Sequence, residues 1–297
     1  MLQGLLFIVL TGILWSIVGI VFGYIARKRF DFIAVMGIST PFNALMTWLF
    51  VADHQQLFND GVSRTPELIL VMVLSGIISV IAFIIMQQAM RIGHHGIIWT
   101  ISQSAMVIPY LFGVLVFGES VPLLKGLGML VILSSFVLLG IGKNSARLVH
   151  GAEAGTSWFI LALVAFLLLG IHQSLTTLPT YWHNWQDSAR LRIPLIYSGL
   201  ALGYLTLMFL GRRIANRREL WLALILSAVG IPSNLMLYRG MDLLRQVNMV
   251  SISYPLALGI TIASFVLYNL CIVREPTSKI SLIGLVATVS GLVLISV

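Results

Sequence analysis

Charge is what this sequence has least of. Of its 297 residues only 9% are Asp, Glu, Lys or Arg, while 59% are hydrophobic; an average soluble domain carries about 25% charged residues. That shortage excludes a water-soluble fold, whose surface would need more charge than the chain holds. Cysteine is nearly absent: Cys271 stands alone, so no intrachain disulfide, CxxC motif or Cys/His zinc site can be drawn. Acidic residues number 10 against 18 Lys and Arg. The basic excess sits in short clusters between apolar runs, Arg27-Lys28-Arg29 and Arg212-Arg213 with Arg217-Arg218, and not along one face, which argues against a nucleic-acid partner. The sequence has no Walker A, GxSxG or HExxH pattern. An ATPase, a serine hydrolase of that class and a zinc protease are thereby disfavoured, and no cofactor or metal is called for.

Long apolar runs are what the chain does have. A helix needs about 20 mostly apolar residues to cross a bilayer, and about ten such stretches nearly exhaust the sequence. They run from Gln3 to Ala26, Phe32 to Val51, Pro66 to Met90, Gly96 to Val116, Val121 to Ile141, Ser157 to Leu178, Ala189 to Leu210, Leu220 to Leu243, Val247 to Ile272 and Pro276 to Val297. The expected fold class is an all-α integral membrane protein, multi-pass, in the inner (plasma) membrane with the lipid bilayer around it. The first run is too long for a signal peptide and carries its positive cluster after it, so it reads as a retained helix. Sorting Lys and Arg by alternate loops puts 12 on the Arg27 side and 6 on the other. The Arg27 side is then cytoplasmic and both termini are extracytoplasmic.

The most polar connector near the midpoint, Gly142 to Thr156, divides the chain into units 1–141 and 157–297 joined by a cytoplasmic linker, 142–156. Gly12-Ile-Leu-Trp-Ser16 matches Gly170-Ile-His-Gln-Ser174 at a spacing of 158, and Glu119 and Gly128 match Glu275 and Gly284 at 156. These matches favour a duplication. Tandem units with an odd number of spans enter the membrane in opposite senses, as in the inverted repeats of secondary transporters.

These features resemble the drug/metabolite transporter superfamily and its EamA-like carriers. The resemblance rests on two five-helix halves, Trp15-Ser16 in the first helix, and Phe117-Gly118-Glu119 leading into a Gly-spaced fifth helix. The basic loop departs from the common pattern, since it falls between helices one and two. Gly12 to Trp15, Gly19 and Ala26 to Arg29 are similar to the opening of L-rhamnose/proton symporters and related sugar-uptake carriers. The resemblance implies a carrier that moves a small-molecule substrate, a sugar or similar metabolite, by alternating access with protons as coupling ion, with no cofactor and no covalent chemistry. An EamA-like exporter of amino acids or other metabolites is the nearest alternative. Outside transport the alternative is an intramembrane lipid-modifying enzyme, which would want His, Asp and Glu clustered at one depth.

Polar groups deep in a bilayer are costly unless partnered, so mid-span polar residues mark a site. Trp15, Gln103, His172, Gln173, Asn234 and Tyr254 lie within about one and a half turns of their span centres and are the substrate-binding candidates. Amides supply hydrogen bonds and aromatic faces pack on a sugar's CH surface; the bland alternative is that the amides only bond neighbouring helices. His172 and Asp242 are the proton-coupling candidates, His172 because imidazole titrates near neutral pH. Arg239, Asp242 and Arg245 are spaced to share one helix face, which predicts a local ion-pair cluster near the outer surface. Pro109 and Pro255 are hinge candidates. Gly19 with Gly23, and Gly199 with Gly203, predict close helix packing inside the bundle, and Glu119 and Glu275 are expected to cap the helices that follow them.

Overall fold

In hydrocarbon a backbone must satisfy its own hydrogen bonds, and a helix does so within one segment. A computed structural model describes residues 1–57, 65–119, 123–124, 126–132, 134–135, 138, 157–182, 188–274 and 278–296, and their regular structure is helical throughout. The helices are α1 (Leu2–Lys28), α2 (Phe32–Phe50), the short α3 (His54–Leu57), α4 (Thr65–Ile92), α5 (His95–Gln103) and α6 (Val107–Phe117). Helical residues between 123 and 138 form α7. They are followed by α8 (Ser157–Thr177), α9 (Ala189–Leu210), α10 (Arg217–Arg245), α11 (Ser253–Tyr268) and α12 (Lys279–Ser296). A 3-10 turn, Ser104–Met106, joins α5 to α6 as one span, and another, Val250–Ile252, leads into α11. Among the described residues 8 spans are long and apolar enough to cross a membrane. This is an all-α integral membrane protein, and these spans follow eight of the ten expected runs closely, Ala189–Leu210 without any shift; the runs at 121–141 and 276–297 lie partly outside the described residues and are not among the eight. The linker at 142–156 and Glu275 lie outside the described residues.

Local chemistry sets the ends. α1 stops at Arg29, whose backbone turns left-handed at φ 55. Asp31 then caps α2, its carboxylate accepting from the Ile33 and Ala34 amides at 3.0 and 3.2 Å. An Asn216–Glu219 capping box starts α10. The two turns are tied together: Arg213 donates to Asp31 at 2.7 Å, and the Asp31 amide donates to Glu219 at 2.7 Å. We call this end of the bundle the Arg27 face and the opposite end the Met1 face.

The helix pairings obey an exchange rule. Swapping α1 with α8, α2 with α9, α4 with α10 and the α5–α6 span with α11 turns each major contact into another. Thus α1 packs on α10 as α8 packs on α4, α1 on α11 as α8 on α5 and α6, and α4 on α9 as α10 on α2, while α2 and α9 pack on each other. The glycines that match in sequence occupy equivalent crossings. A methyl on Gly12 would fall 2.6 Å from the Ala257 carbonyl oxygen of α11, and one on Gly170 would fall 2.1 Å from Ile108 of α6. Ser75 and Ser233, also 158 apart, sit at the α4–α8 and α10–α1 contacts, Ser75 bonded to His172 and Ser233 accepting from Thr11 at 3.2 Å. α7 and α12 meet where Ser135 bonds Thr288 at 2.7 Å.

Both glycine pairs pack inside the bundle. Gly19 faces the Trp99 indole and Gly23 faces Phe265, whereas Gly199 and Gly203 face Val73 and Val80 of α4. A methyl at Gly199 would lie 2.3 Å from the Val73 carbonyl oxygen, a backbone atom that cannot swing aside. Gly199→Ala is expected to cost about 1–3 kcal/mol and to lower the thermal midpoint in detergent. Gly96→Ala, whose nearest neighbour would be at an ordinary 3.4 Å, is expected to leave it unchanged.

Candidate functional site

At mid-depth the bundle encloses a cavity of about 140 Å³ lined from α1, α2, α4, α5, α8, α9, α10 and α11. A water occupies about 10–15 Å³ on this measure, so the space holds roughly ten waters or a solute with a similar number of non-hydrogen atoms. All of Trp15, Gln103, His172, Gln173, Asn234 and Tyr254 line it. Its lining among the described residues includes no Asp, Glu, Lys or Arg.

Trp15 and Tyr254 stack with ring centroids 6.2 Å apart and an interplanar angle of 21°, bringing α1 and α11 aromatic faces together. The Tyr254 hydroxyl lies 2.6 Å from Thr176 Oγ1, whose own hydrogen goes to the Gln173 carbonyl at 2.9 Å. Tyr254 is therefore the donor of that pair. Asn234 donates through Nδ2 to the Tyr197 hydroxyl at 2.9 Å and to the Gly230 carbonyl at 3.1 Å. Gln103 is the last residue of α5, immediately before the 3-10 turn. Pro109 is the third residue of α6 and Pro255 the third of α11, each just after a 3-10 turn. A proline lacks the N–H that would continue the ladder; the structure thus places the break one turn ahead of each proline and next to Gln103 and Tyr254.

Hydroxyls in this bundle are satisfied cheaply by the carbonyl one turn back: Ser16 on Gly12, Thr40 on Met36, Thr100 on Gly96 and Ser174 on Gly170, all at 2.8 Å. An amide N–H can use the same carbonyl, as Asn234 does on Gly230, but an amide oxygen cannot. Asn43 Oδ1 and Gln173 Oε1 are buried without a partner among the described residues, and so is the Trp99 indole N–H. All of these residues line the cavity, so it is where solute or water would complete their bonding.

The two ends of the cavity are bordered by different chemistry. Towards the Arg27 face, Phe22 packs edge-on against Trp99 and Phe83 with centroids at 6.3 and 5.6 Å, and Trp99 lies 5.1 Å from Phe265. Towards the Met1 face, Arg192 of α9 pairs with Asp242 of α10, donates to Thr180 at 2.6 Å, and lies 4.8 Å from the centroid of the Tyr238 ring that lines the cavity. Both side chains of the pair are essentially fully buried, at 0% and 1% exposure. Beside it Tyr181 stacks on Phe117 at 3.9 Å and donates to Glu119 at 2.8 Å.

Two expectations are corrected here. Asp242 reaches across to Arg192 on another helix, while Arg245 lies over the Tyr181 ring and bonds Asn248 at 2.7 Å; partner choice is set by helix packing and not by spacing along α10. Asp242 also lies behind Tyr238, outside the cavity lining. Glu119 caps backward across the bundle, accepting from the Ser251 amide at the start of the ninth span at 3.1 Å. Arg192, Asn43, Tyr197 and Ser75 were not singled out by sequence reasoning. The available signal was the same one that selected Gln103: a cation or amide inside an apolar run.

Residues 2–141 match the EamA-like transporter family. The match covers α1 to α7, hence Trp15, Gln103 and the Phe22 and Trp99 closure. No curated protein matches the chain.

Removing one partner of a fully buried ion pair strands the other charge at about 3–5 kcal/mol. Asp242→Asn is accordingly expected to lower stability by that amount, and Arg192→Leu combined with Asp242→Leu to recover most of it. Thermal unfolding in detergent reads both. Equal losses in the single and double variants would show that the two residues are not one energetic unit.

Proposed function

We propose that the chain is a secondary active transporter that carries a small polar solute, a sugar or similar metabolite, through this cavity by alternating access. The observation that carries the reading is a cavity at mid-depth of the bundle, lined by aromatic faces and unsatisfied amides, with a different layer of side chains towards each face. The EamA-like match of residues 2–141 supports it, and the match ends where the expected linker begins. The exchange rule of the helix pairings supports two inverted halves, the architecture in which one half rocks against the other around a central site.

In this reading the Arg27 face is cytoplasmic. Solute enters from the Met1 face when the Arg192–Asp242 pair and the Tyr181–Glu119 contact separate, and leaves when the Phe22–Trp99 layer opens. Trp15 and Tyr254 receive the apolar side of the solute, and Gln103, Gln173 and Asn234 its hydroxyls. His172 is the proton carrier, because it is a titratable side chain facing the cavity at the α4–α8 seam, and Asp242 couples secondarily through the outer closure.

The test is flux in proteoliposomes with labelled monosaccharides and amino acids, with and without an inward proton gradient. Saturable, gradient-accelerated sugar uptake is expected; uptake of amino acids alone would transfer the reading to a metabolite carrier. Loss of one buried hydrogen bond or stacking contact costs about 1.4 kcal/mol, roughly tenfold in affinity. Trp15→Ala and Gln173→Ala should each lower flux by about that factor at unchanged folded yield, and normal flux in both would remove the site. His172→Gln should retain solute exchange and lose the acceleration by the gradient; an unaltered pH response would exclude His172.

A further inference from the structure

The cavity's hydrogen-bonding groups lean towards acceptors, with the Trp99 indole N–H as a buried donor that lacks a partner among the described residues. Asn234 spends both amide hydrogens, on the Tyr197 hydroxyl and on the Gly230 carbonyl; a carbonyl can only accept, so the orientation of the amide is determined and Oδ1 is the atom left over. His172 Nδ1 lies 3.1 Å from the Ser75 carbonyl and 2.8 Å from the Ser75 hydroxyl, whose hydrogen goes to the His172 carbonyl at 3.0 Å. Both neighbours of Nδ1 therefore accept, and the ring proton belongs on Nδ1. Nε2 remains with a lone pair and no protein partner among the described residues. The lining hydroxyls of Thr40, Ser79, Ser233 and Thr261 donate to Met36, Gly76, Gly230 and Gly12 carbonyls at 2.8, 2.7, 2.9 and 3.0 Å. Their hydrogens are spent as well, so what they turn to the cavity is oxygen lone pairs.

We infer that this cavity selects solutes that bring several N–H or O–H donors and carry no carboxylate or phosphate. Asn234 Oδ1, His172 Nε2, Asn43 Oδ1 and Gln173 Oε1 form a set of acceptors drawn from α10, α8 and α2. A buried anion would meet these lone pairs and find no cation in the lining to neutralise it. The nearest built guanidinium, Arg192, sits behind Tyr238 with its charge committed to Asp242. Neutral polyols and amines satisfy the same atoms, the amines gaining from the Trp15 and Tyr254 faces. Ser75 is a positioning residue here, acting through the imidazole it orients. The inference takes the cavity to be the solute site of the transport reading.

Binding and flux separate the two claims. Purified protein in detergent is titrated with glucose, glucosamine and glucuronate, and with serinamide and serine, following the thermal midpoint and the tryptophan fluorescence, to which Trp15 and Trp99 of the cavity contribute. Within each scaffold the carboxylate is expected to bind at least about tenfold more weakly. Glucuronate or serine binding as tightly as its uncharged or cationic counterpart would overturn the inference, as would no binding by any of the five. Binding with the expected order but without flux in liposomes would leave the inference standing and sink transport; flux blind to the carboxylate would do the reverse. Nitrogen NMR of histidine-labelled protein at alkaline pH, assigned with His172→Gln, tests the acceptor set without any solute. A proton on Nδ1 and a bare Nε2 are expected, and should persist in Ser75→Ala, which keeps the accepting Ser75 carbonyl; a proton on Nε2 in the unsubstituted protein would contradict the inference.

Discussion

A polar atom without a partner is the costliest thing a chain can place in hydrocarbon, and this bundle is organised around that cost. Many of its hydroxyls bond carbonyls one turn back. Its buried cation, Arg192, has a carboxylate, a hydroxyl and an aromatic face around it. Its helices approach through glycines, so that backbone meets backbone at Gly12, Gly76 and Gly199. Buried polar atoms without a partner among the described residues are spread through the bundle, and those of Asn43, Gln173 and Trp99 share one cavity with the open nitrogen of His172.

Two closures of different character follow from the same rule. The Met1 end is held by a directional, fully desolvated ion pair, whose separation requires each charge to find water or a new partner. At the Arg27 end, Phe22, Trp99 and Phe83 pack edge to face, with the bare Gly19 backbone giving room for the indole. In the proposed cycle such a layer would open by sliding and would leave no charge stranded. Cooperation between the two is built into the pairings: α10 carries Asp242 at one end and, through Glu219, a tie to the α1–α2 turn at the other. A tilt of α10 therefore reaches both faces.

Much of this was legible in the order of residues. Helix limits followed because an apolar run in a charge-poor chain has one stable form, and Ala189–Leu210 was recovered to the residue. Trp15, Gln103, His172, Gln173, Asn234 and Tyr254 were found by depth alone, since an amide or imidazole at mid-span needs a reason to be there. The same rule extended to the second span would have selected Asn43, whereas Arg192, the fourth residue of the seventh, lies too near its end. What spacing could not supply was the partner of each group. Asp242 has arginines three residues away on its own helix, yet pairs with one 50 positions distant, because α9 presents Arg192 at that depth and Arg245 turns towards Tyr181. Glu119 is a similar case: the helix end it serves belongs to another span.

The central claim is that the proposed carrier has two distinct gates, one at each face. A single reporter cysteine at Val18→Cys, which lines the cavity, in a Cys271→Ser background, tests it most directly when an impermeant thiol reagent is applied to either side of oriented vesicles. Asp242→Asn is predicted to accelerate labelling from the Met1 face alone, and Trp99→Ala from the Arg27 face alone. Acceleration from both faces by either substitution, or from the opposite face, would contradict the account.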